Sequence, residues 1–184
     1  MTSTLDTYGR LIDKNTVRFE RLLPGPIERV WGYLTDKELR GRWFAAGPME
    51  PRVGGKMDIV FDNNNLGPHP EQPPKRFEKY GGPFDSKHVV TVWEPPHRLG
   101  FTWGDDLDPA GCVVEFELSE EAGKVRLVLT HRRLSGIDGA INVSGGWHTH
   151  LQMLAEQLEG DPKTPFWSAF DGVEEEYRKR YTGK

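Results

Sequence analysis

Alternating apolar and polar residues predict β-strands over much of this chain. The stretches NTVRFERLLPG, which ends at Pro24–Gly25, and GGKMDIVF each concentrate apolar side chains at every second position. Because successive side chains of a strand point to opposite faces, such alternation is typical of a strand with one buried face. The stretch KHVVTVWEPPHRLGFTW predicts two more strands around a Pro–Pro turn. In the first two stretches the residues predicted to point inward are Val17, Phe19, Met57, Ile59 and Phe61.

The stretch GCVVEFELSEEAGKVRLVLTHRR predicts a β-hairpin, and its pattern limits how the two strands pair. Even-numbered inward residues on the first strand must lie opposite odd-numbered inward residues on the second. Placing Leu118 opposite Val125 also places Glu117 opposite Arg126, a favourable charge pair. The same register places Cys112 opposite His131. The predicted inward residues are Cys112, Val114, Phe116, Leu118, Val125, Leu127, Leu129 and His131.

Apolar residues at helical spacing predict four helices. PIERVWGYLTD and KELRGRWFA predict two short ones, and PFWSAFDGVEEEYRKRY predicts an amphipathic helix near the end of the chain. Between them, Trp147, Leu151 and Leu154 repeat at the spacing of a helix over Ser144–Glu159. Ser144 is suited to capping the start of this helix and Gly160 to ending it.

The order of these elements predicts an α+β fold: β-α-α-β, a meander of strands, then a long helix. Short connections between consecutive strands favour an antiparallel sheet, and the long helix is the natural cover for its apolar face. We expect a single domain over residues 1–184, with a core at 16–160 and a helical extension at 161–184. Residues 62–86 are rich in Asn, Pro and Gly and predict a long loop insertion. We consider two roles for this loop: a lid over a pocket, or a contact between the subunits of a homodimer.

Composition and charge argue against several classes of protein function. The net charge is −4 with Lys and Arg dispersed along the chain, which gives a nucleic-acid role no support. Cys112 is the single cysteine, which excludes an internal disulfide and a thiol-rich zinc cluster. No apolar run approaches the roughly 18 residues of a membrane-spanning helix, and the N-terminal stretch MTSTLDTYGRLIDKN lacks the apolar segment of a secretory signal. We therefore expect a cytoplasmic protein without a membrane span.

The closely spaced histidines of GWHTH suggest a metal site at first sight. On a helix, however, each residue turns the chain by about 100°, so His148 and His150 diverge and no metal site is predicted. We expect His150 to lie on the buried stripe of its helix, either as a hydrogen-bonded core residue or as a polar contact in a pocket. His148 is predicted to face elsewhere.

The predicted pairing of Cys112 with His131 resembles an activated thiol, in which an imidazole takes the thiol proton. No carboxylate is placed to orient this histidine, because Glu115 and Glu117 point to the other face of the strand. Activation would also require a lowered thiol pKa. We therefore name no catalytic residue, and no cofactor is predicted.

Five blocks carry a resemblance to a known family: VRFERLLPGPIERVWGYLTD, RWFAAGPMEPRVGGKMDIVF, WEPPHRLGFTW, VEFEL and GWHTHLQMLAEQLEG. Together they resemble the START-like, or SRPBCC, superfamily, and within it the homologues of the activator of the heat-shock-protein-90 ATPase, single-domain bacterial type. The resemblance implies a helix-grip fold, in which a curved antiparallel sheet wraps around the C-terminal helix and encloses an apolar pocket. Members of the superfamily bind lipids, sterols or polyketides, and a few are enzymes.

These observations give three functional hypotheses. The first is a protein that binds a hydrophobic small molecule, such as a lipid or polyketide, between sheet and helix. The second is an enzyme of the cyclase, dehydratase or hydrolase type that uses His131, His150 or Cys112, and the third is a chaperone-linked interaction module. The residues predicted to line the pocket are Trp43, Phe44, Met57, Ile59, Phe61, Trp103, Val114, Phe116, Leu127, Leu129, His131, Trp147, His150, Leu151 and Leu154.

Overall fold

A computed structural model describes residues 6–184 of the chain. It contains seven strands: β1 (Arg10–Asp13), β2 (Thr16–Pro24), β3 (Lys56–Phe61), β4 (Phe84–Glu94), β5 (Arg98–Thr102), β6 (Val113–Glu121) and β7 (Lys124–Arg132). The four α-helices are α1 (Ile27–Thr35), α2 (Lys37–Gly41), α3 (Gly136–Glu159) and α4 (Phe166–Thr182). Two 3-10 helices, Asn63–Asn65 and Lys75–Tyr80, lie between β3 and β4.

The seven strands form one antiparallel sheet in the order β1-β2-β7-β6-β5-β4-β3. Strands β3 to β7 follow one another as a meander, while β2 pairs with the last strand of that meander. The curved sheet carries α3 on its inner face, which confirms the predicted α+β, helix-grip fold. The structure adds β1, which the sequence analysis missed because RLID is short and largely exposed.

The β6–β7 hairpin has the predicted inward face but a different register. Glu121 pairs with Lys124 around a two-residue turn, in which Ala122 and Gly123 have φ values of 50° and 80°. Positive φ at both central residues is the geometry of a tight hairpin turn that matches strand twist. Each residue therefore pairs two positions away from the prediction, and Val114, rather than Cys112, lies opposite His131. The prediction kept the correct face because a shift of two preserves the side on which each residue lies.

The shifted register also makes the predicted Glu117–Arg126 pair wrong. Arg126 lies opposite Ser119, and its guanidinium binds Glu20 on β2 and, at 2.7 Å, Glu121. The charge of Arg126 is thus balanced, but by Glu121 at the end of β6 and by Glu20 on β2.

Helix α3 begins at Gly136, eight residues before the predicted start at Ser144. Ser144 is not a cap: it is buried within the helix, and its hydroxyl lies 3.0 Å from the Tyr181 hydroxyl of α4. The first half of α3 is rich in glycine, which has poor helix propensity, so local sequence understates its length. The predicted end is confirmed, because Gly160 terminates the helix with a φ of 78°.

Helix α4 packs on the side of α3 that faces away from the sheet. Gly145 permits this close approach, because a Cβ at this position would lie 3.1 Å from both Phe170 and Glu174 of α4. His148 faces α4 rather than the sheet, and it is therefore buried rather than exposed. Its ring is only 7% exposed, and its Nδ1 lies 2.9 Å from the Tyr177 hydroxyl. Helix α3 is buried on two sides.

The predicted loop of residues 62–86 is not structureless. It contains both 3-10 helices, and its last three residues, Phe84 to Ser86, already belong to β4. Trp167 of α4 donates a hydrogen bond to Asn64 over 2.8 Å, and Phe77 packs edge-on against Phe170. The segment is thus attached to α4 and covers one end of the sheet.

Candidate ligand-binding cavity

The space between the sheet and the second half of α3 is filled by side chains. Ten of the residues predicted to line a pocket lie in this core or beside it, and each is at most 2% exposed. They do not border the cavity described below, so we no longer expect them to contact a ligand. They are Trp43, Met57, Ile59, Val114, Phe116, Leu127, Leu129, His131, Leu151 and Leu154.

A cavity of about 280 Å³ remains at one end of the fold, where β3, β4 and β5 meet the first half of α3. Five of the predicted pocket residues line it: Phe44, Phe61, Trp103, Trp147 and His150. Their contact with a ligand stays a prediction. The other lining residues are Asn63, Phe77, Tyr80, Phe84, Ser86, His88, Gly104, Asn142, Val143, Gly146, Phe166, Trp167 and Phe170.

Most of the lining residues that the sequence analysis missed come from residues 62–86 and from α4. Both segments lie outside the predicted core, so their aromatic residues were not assigned to its inner surface. The available signal was the aromatic content itself, since Phe77, Tyr80 and Phe84 stand in an otherwise polar segment. Tyr80 is 46% exposed and Phe84 45%, so the cavity reaches the protein surface beside these two rings.

Aromatic rings pack against one another to form a firm wall. The Phe44 ring lies 5.0 Å from Trp147, 5.3 Å from Phe61 and 5.1 Å from His150, measured between centroids. Phe166 of α4 extends this wall and lies 4.8 Å from His150. Edge-on and tilted ring pairs at such distances are favourable, so the wall does not need a ligand to keep its shape.

Two buried histidines in the wall have a defined proton position. Nδ1 of His150 donates to the carbonyl oxygen of Trp43 over 2.8 Å, and Nδ1 of His88 donates to that of Thr102 over 2.7 Å. Since a carbonyl oxygen only accepts, Nδ1 carries the proton of each neutral ring and Nε2 carries a lone pair. Burial lowers the pKa of His150 to about 4, and burial also lowers the pKa of His88. Both rings are neutral near pH 7.

The cavity wall contains no charged side chain among residues 6–184. Its polar groups are the two histidines, Asn63, Asn142, Ser86, the hydroxyl of Tyr80 and the indole N–H groups of the three tryptophans. An ionised ligand would lose its hydration without gaining a counter-charge, which is strongly unfavourable. The wall therefore suits an uncharged molecule.

Cys112 and His131 are in contact, as the sequence analysis expected, although they are diagonal neighbours. The sulfur lies 3.2 Å from Nε2 of His131, and the indole N–H of Trp147 donates to Nδ1 over 3.0 Å. Because Nδ1 accepts, the neutral ring holds its proton on Nε2 and donates it towards the sulfur. Burial lowers the pKa of His131 to about 3 and raises that of the Cys112 thiol. This arrangement does not let His131 take the thiol proton.

His148 and His150 lie on different sides of α3. His150 bonds to Trp43 on the sheet side, whereas His148 bonds to Tyr177 on the α4 side. In the described residues, no group of three or more His, Cys, Asp or Glu side chains could hold a metal ion. The helices between residues 6 and 184 are each too short or too polar to cross a bilayer.

Comparison with known proteins finds a family that matches most of the chain. The model of the family described as activator of Hsp90 ATPase homolog 1-like protein matches residues 24–159. A Bordetella parapertussis protein solved by solution NMR is 42% identical, with a TM-score of 0.80. The match covers 95% of this chain and 91% of that one. No curated protein matches the chain.

Two further solved structures share the fold at lower identity. CalU16 from Micromonospora echinospora is 21% identical with a TM-score of 0.66, and the match covers 95% of each chain. DynU16, described as a protein in the dynemicin biosynthetic locus, is 22% identical with a TM-score of 0.59. Here the match covers 84% of this chain and 51% of DynU16. At this level of identity the likeness concerns the fold alone.

Proposed function

The chain belongs to the family of activator of Hsp90 ATPase homolog 1-like proteins, and from that premise we propose that it binds a hydrophobic small molecule, such as a lipid or polyketide, in its aromatic cavity. The observation that carries the proposal is the cavity of about 280 Å³ at one end of the helix-grip fold. Small-molecule sites are typically concave and mainly apolar, with a few polar groups that fix orientation. This cavity has that composition.

The physical driving force is the removal of apolar ligand surface from water. Burial contributes on the order of 2.5 kcal/mol for each 100 Å² of apolar surface. Because the aromatic wall is already packed, binding requires little ordering of the protein, which leaves more of this energy for affinity. The preformed wall therefore favours a role in binding or carrying a ligand.

The enzyme hypothesis has weaker support from the geometry. A general base works best when its pKa lies near the working pH, whereas burial holds those of His131 and His150 at about 3 and about 4. The thiol of Cys112 is held in its protonated form. The chaperone-linked hypothesis rests on the family description alone. A cytoplasmic location and a homodimer through residues 62–86 remain predictions.

The proposal is tested by filling the cavity from within α3. Gly146 lines the cavity, and a Cβ added to it would meet no atom of residues 6–184 within 4 Å. Gly146→Leu should therefore place its side chain in the empty volume without disturbing the fold, and leucine is also a better helix former than glycine. With the neutral fluorescent probe N-phenyl-1-naphthylamine, we expect wild-type protein to bind and the variant to bind at least about tenfold more weakly.

Gly172→Leu is the matched control. Gly172 also lies inside a helix with no atom within 4 Å of an added Cβ, but it is exposed on α4 and does not line the cavity. This variant should bind the probe as the wild type does. Absence of probe binding to the wild type, or equal binding by Gly146→Leu, would contradict the proposal.

A further inference from the structure

The composition of the cavity wall distinguishes between classes of hydrophobic ligand. Ten of the eighteen lining residues are Phe, Tyr or Trp, whereas Val143 is the single aliphatic Val, Leu or Ile side chain, counting within residues 6–184. Flat rings stack on aromatic side chains and gain energy beyond burial alone, while an alkyl chain gains burial only. Within residues 6–184 the wall holds no Lys or Arg, which also disfavours a fatty-acid carboxylate. A neutral aromatic guest fits better than an alkyl chain.

One buried polar atom in this wall has an unmet hydrogen-bonding requirement. His88 is 4% exposed, and its Nδ1 proton is used by the Thr102 carbonyl oxygen. Its other ring nitrogen, Nε2, is buried and has no hydrogen-bond partner in the described part of the chain. Buried polar atoms are nearly always satisfied, so such an atom beside a cavity calls for an explanation.

The unpaired nitrogen can only accept a hydrogen bond. Because Nδ1 holds the ring proton, Nε2 presents a lone pair and cannot donate. Asn63, which also lines the cavity, has a buried side-chain oxygen without a partner among residues 6–184. His150 offers an acceptor of the same kind at Nε2. The wall therefore offers unused acceptors to a donor on its guest.

We infer that the ligand is an uncharged aromatic molecule with a hydroxyl group, of the phenol class, whose O–H donates to Nε2 of His88. This inference rests on the proposed function and specifies the ligand class of the same cavity. Asn63 and His150 offer acceptors to further hydroxyl groups on a larger guest. His88 is then a specificity-determining residue that selects hydroxylated rings over their ethers and hydrocarbons.

The inference is tested with probes that differ in a single group: 2-naphthol, 2-methoxynaphthalene and naphthalene. Only the first has an O–H, while the second keeps the oxygen as an acceptor. Calorimetry on the wild type should give 2-naphthol an affinity about tenfold higher than that of 2-methoxynaphthalene, because a buried hydrogen bond and a satisfied acceptor are gained together. Decanoate should not displace 2-naphthol.

His88→Leu removes the acceptor and should reduce the preference for 2-naphthol over 2-methoxynaphthalene to less than about twofold. His97→Leu is the matched control, because Nδ1 of His97 also bonds to a backbone carbonyl, that of Leu118 at 3.2 Å, but His97 does not line the cavity. It should keep the full preference. Should His88→Leu fail to fold, nitrogen NMR of wild-type histidines gives the answer: 2-naphthol, and not 2-methoxynaphthalene, should shift the Nε2 resonance of His88.

The outcomes separate the two proposals. Equal affinity of the wild type for 2-naphthol and 2-methoxynaphthalene, or a preference that survives in His88→Leu, would overturn the assignment to His88 while leaving a binding protein. Failure of all three naphthalenes and of N-phenyl-1-naphthylamine to bind would overturn both.

Discussion

The buried histidines owe their properties to the groups that fix their protons. His88 and His150 donate to backbone carbonyls, whereas His131 accepts from the indole of Trp147. The predicted contact of His131 with Cys112 was found because both residues lie on the inward face of one hairpin. The role of this contact could not be predicted, since it depends on Trp147, which a different element brings to the ring.

The proton arrangement around His131 predicts an unreactive Cys112. Burial raises the pKa of this thiol, and the thiolate is the nucleophilic form. At about neutral pH, alkylation by iodoacetamide should be at least about tenfold slower in the native protein than in urea-unfolded protein. The rate is followed by mass spectrometry, with glutathione in the same urea as the control for solvent effects. A native rate equal to or above the unfolded one would indicate an activated thiol.

The elements that were hardest to predict are those that depend on contacts with distant parts of the chain. The strands of the meander follow from their own sequence patterns, and the residues predicted to point inward on β3, β6 and β7 are buried. The early start of α3 and the order within residues 62–83 are set by packing against α4, which local sequence does not report. Eight of the thirteen lining residues that were missed come from residues 62–86 and from α4, because the packing of these segments depends on such distant contacts.

The segment over residues 62–83 is attached to α4 by Arg76, and this attachment predicts its resistance to proteolysis. The guanidinium of Arg76 contacts the Asp171 carboxylate at 2.6 Å and the Glu174 carboxylate at 3.2 Å. Asp171→Asn weakens the first contact and keeps every tryptic site. We expect cleavage after Lys75, Arg76 or Lys79 to accelerate about threefold or more, while the midpoint of unfolding changes little, because exposed ion pairs contribute roughly 0–1 kcal/mol.

Asp161→Asn is the control for that experiment. Asp161 also pairs with a cation, Lys163, at 3.3 Å, but both side chains lie in the exposed connection between α3 and α4. This variant should be cleaved in the 75–79 region at the wild-type rate. An unchanged rate in Asp171→Asn would show that the aromatic contacts of Phe77 suffice to hold the segment.

The overall fold could be predicted from the sequence, because element order, hairpin connections and five motif blocks all indicate a sheet wrapped on a helix. The position of the cavity could not be predicted from the sequence. A void between sheet and helix was expected along α3, but Leu127, Leu129 and Leu154 close that space. Whether side chains fill the space between two elements depends on differences of a few ångströms in the distance between those elements. The pattern of apolar residues in the sequence does not determine such distances.

The three buried histidines whose pKa is lowered most predict that the folded protein loses stability in mild acid. Burial lowers the pKa of His131 to about 3 and those of His148 and His150 to about 4, from an ordinary value of 6.5. As the pH falls below about 6.5, the unfolded chain binds protons that the native protein does not. The free energy of unfolding should therefore fall by up to about 4 kcal/mol per pH unit between about pH 6 and about pH 4.5.

Urea unfolding at about pH 7 and about pH 5.5 measures this slope. The carboxylates with lowered pKa are those of Glu20, Asp36 and Glu156, and they lose their contribution only below their ordinary values of 4.5 for Glu and 3.8 for Asp, outside this window. His150→Asn keeps a donor for the Trp43 carbonyl and should reduce the slope by roughly one third. A stability that is the same at both pH values would contradict the assignment of neutral, buried rings.

The missing side chain at Gly146 determines how large a guest the protein admits. Since nothing lies within 4 Å of the position that a Cβ would take there, each added carbon removes space from the guest rather than from the core. A series from glycine through alanine and valine to leucine would then exclude bicyclic molecules before monocyclic ones. Such a series would make position 146 a means of setting, by design, the largest guest molecule that the protein binds.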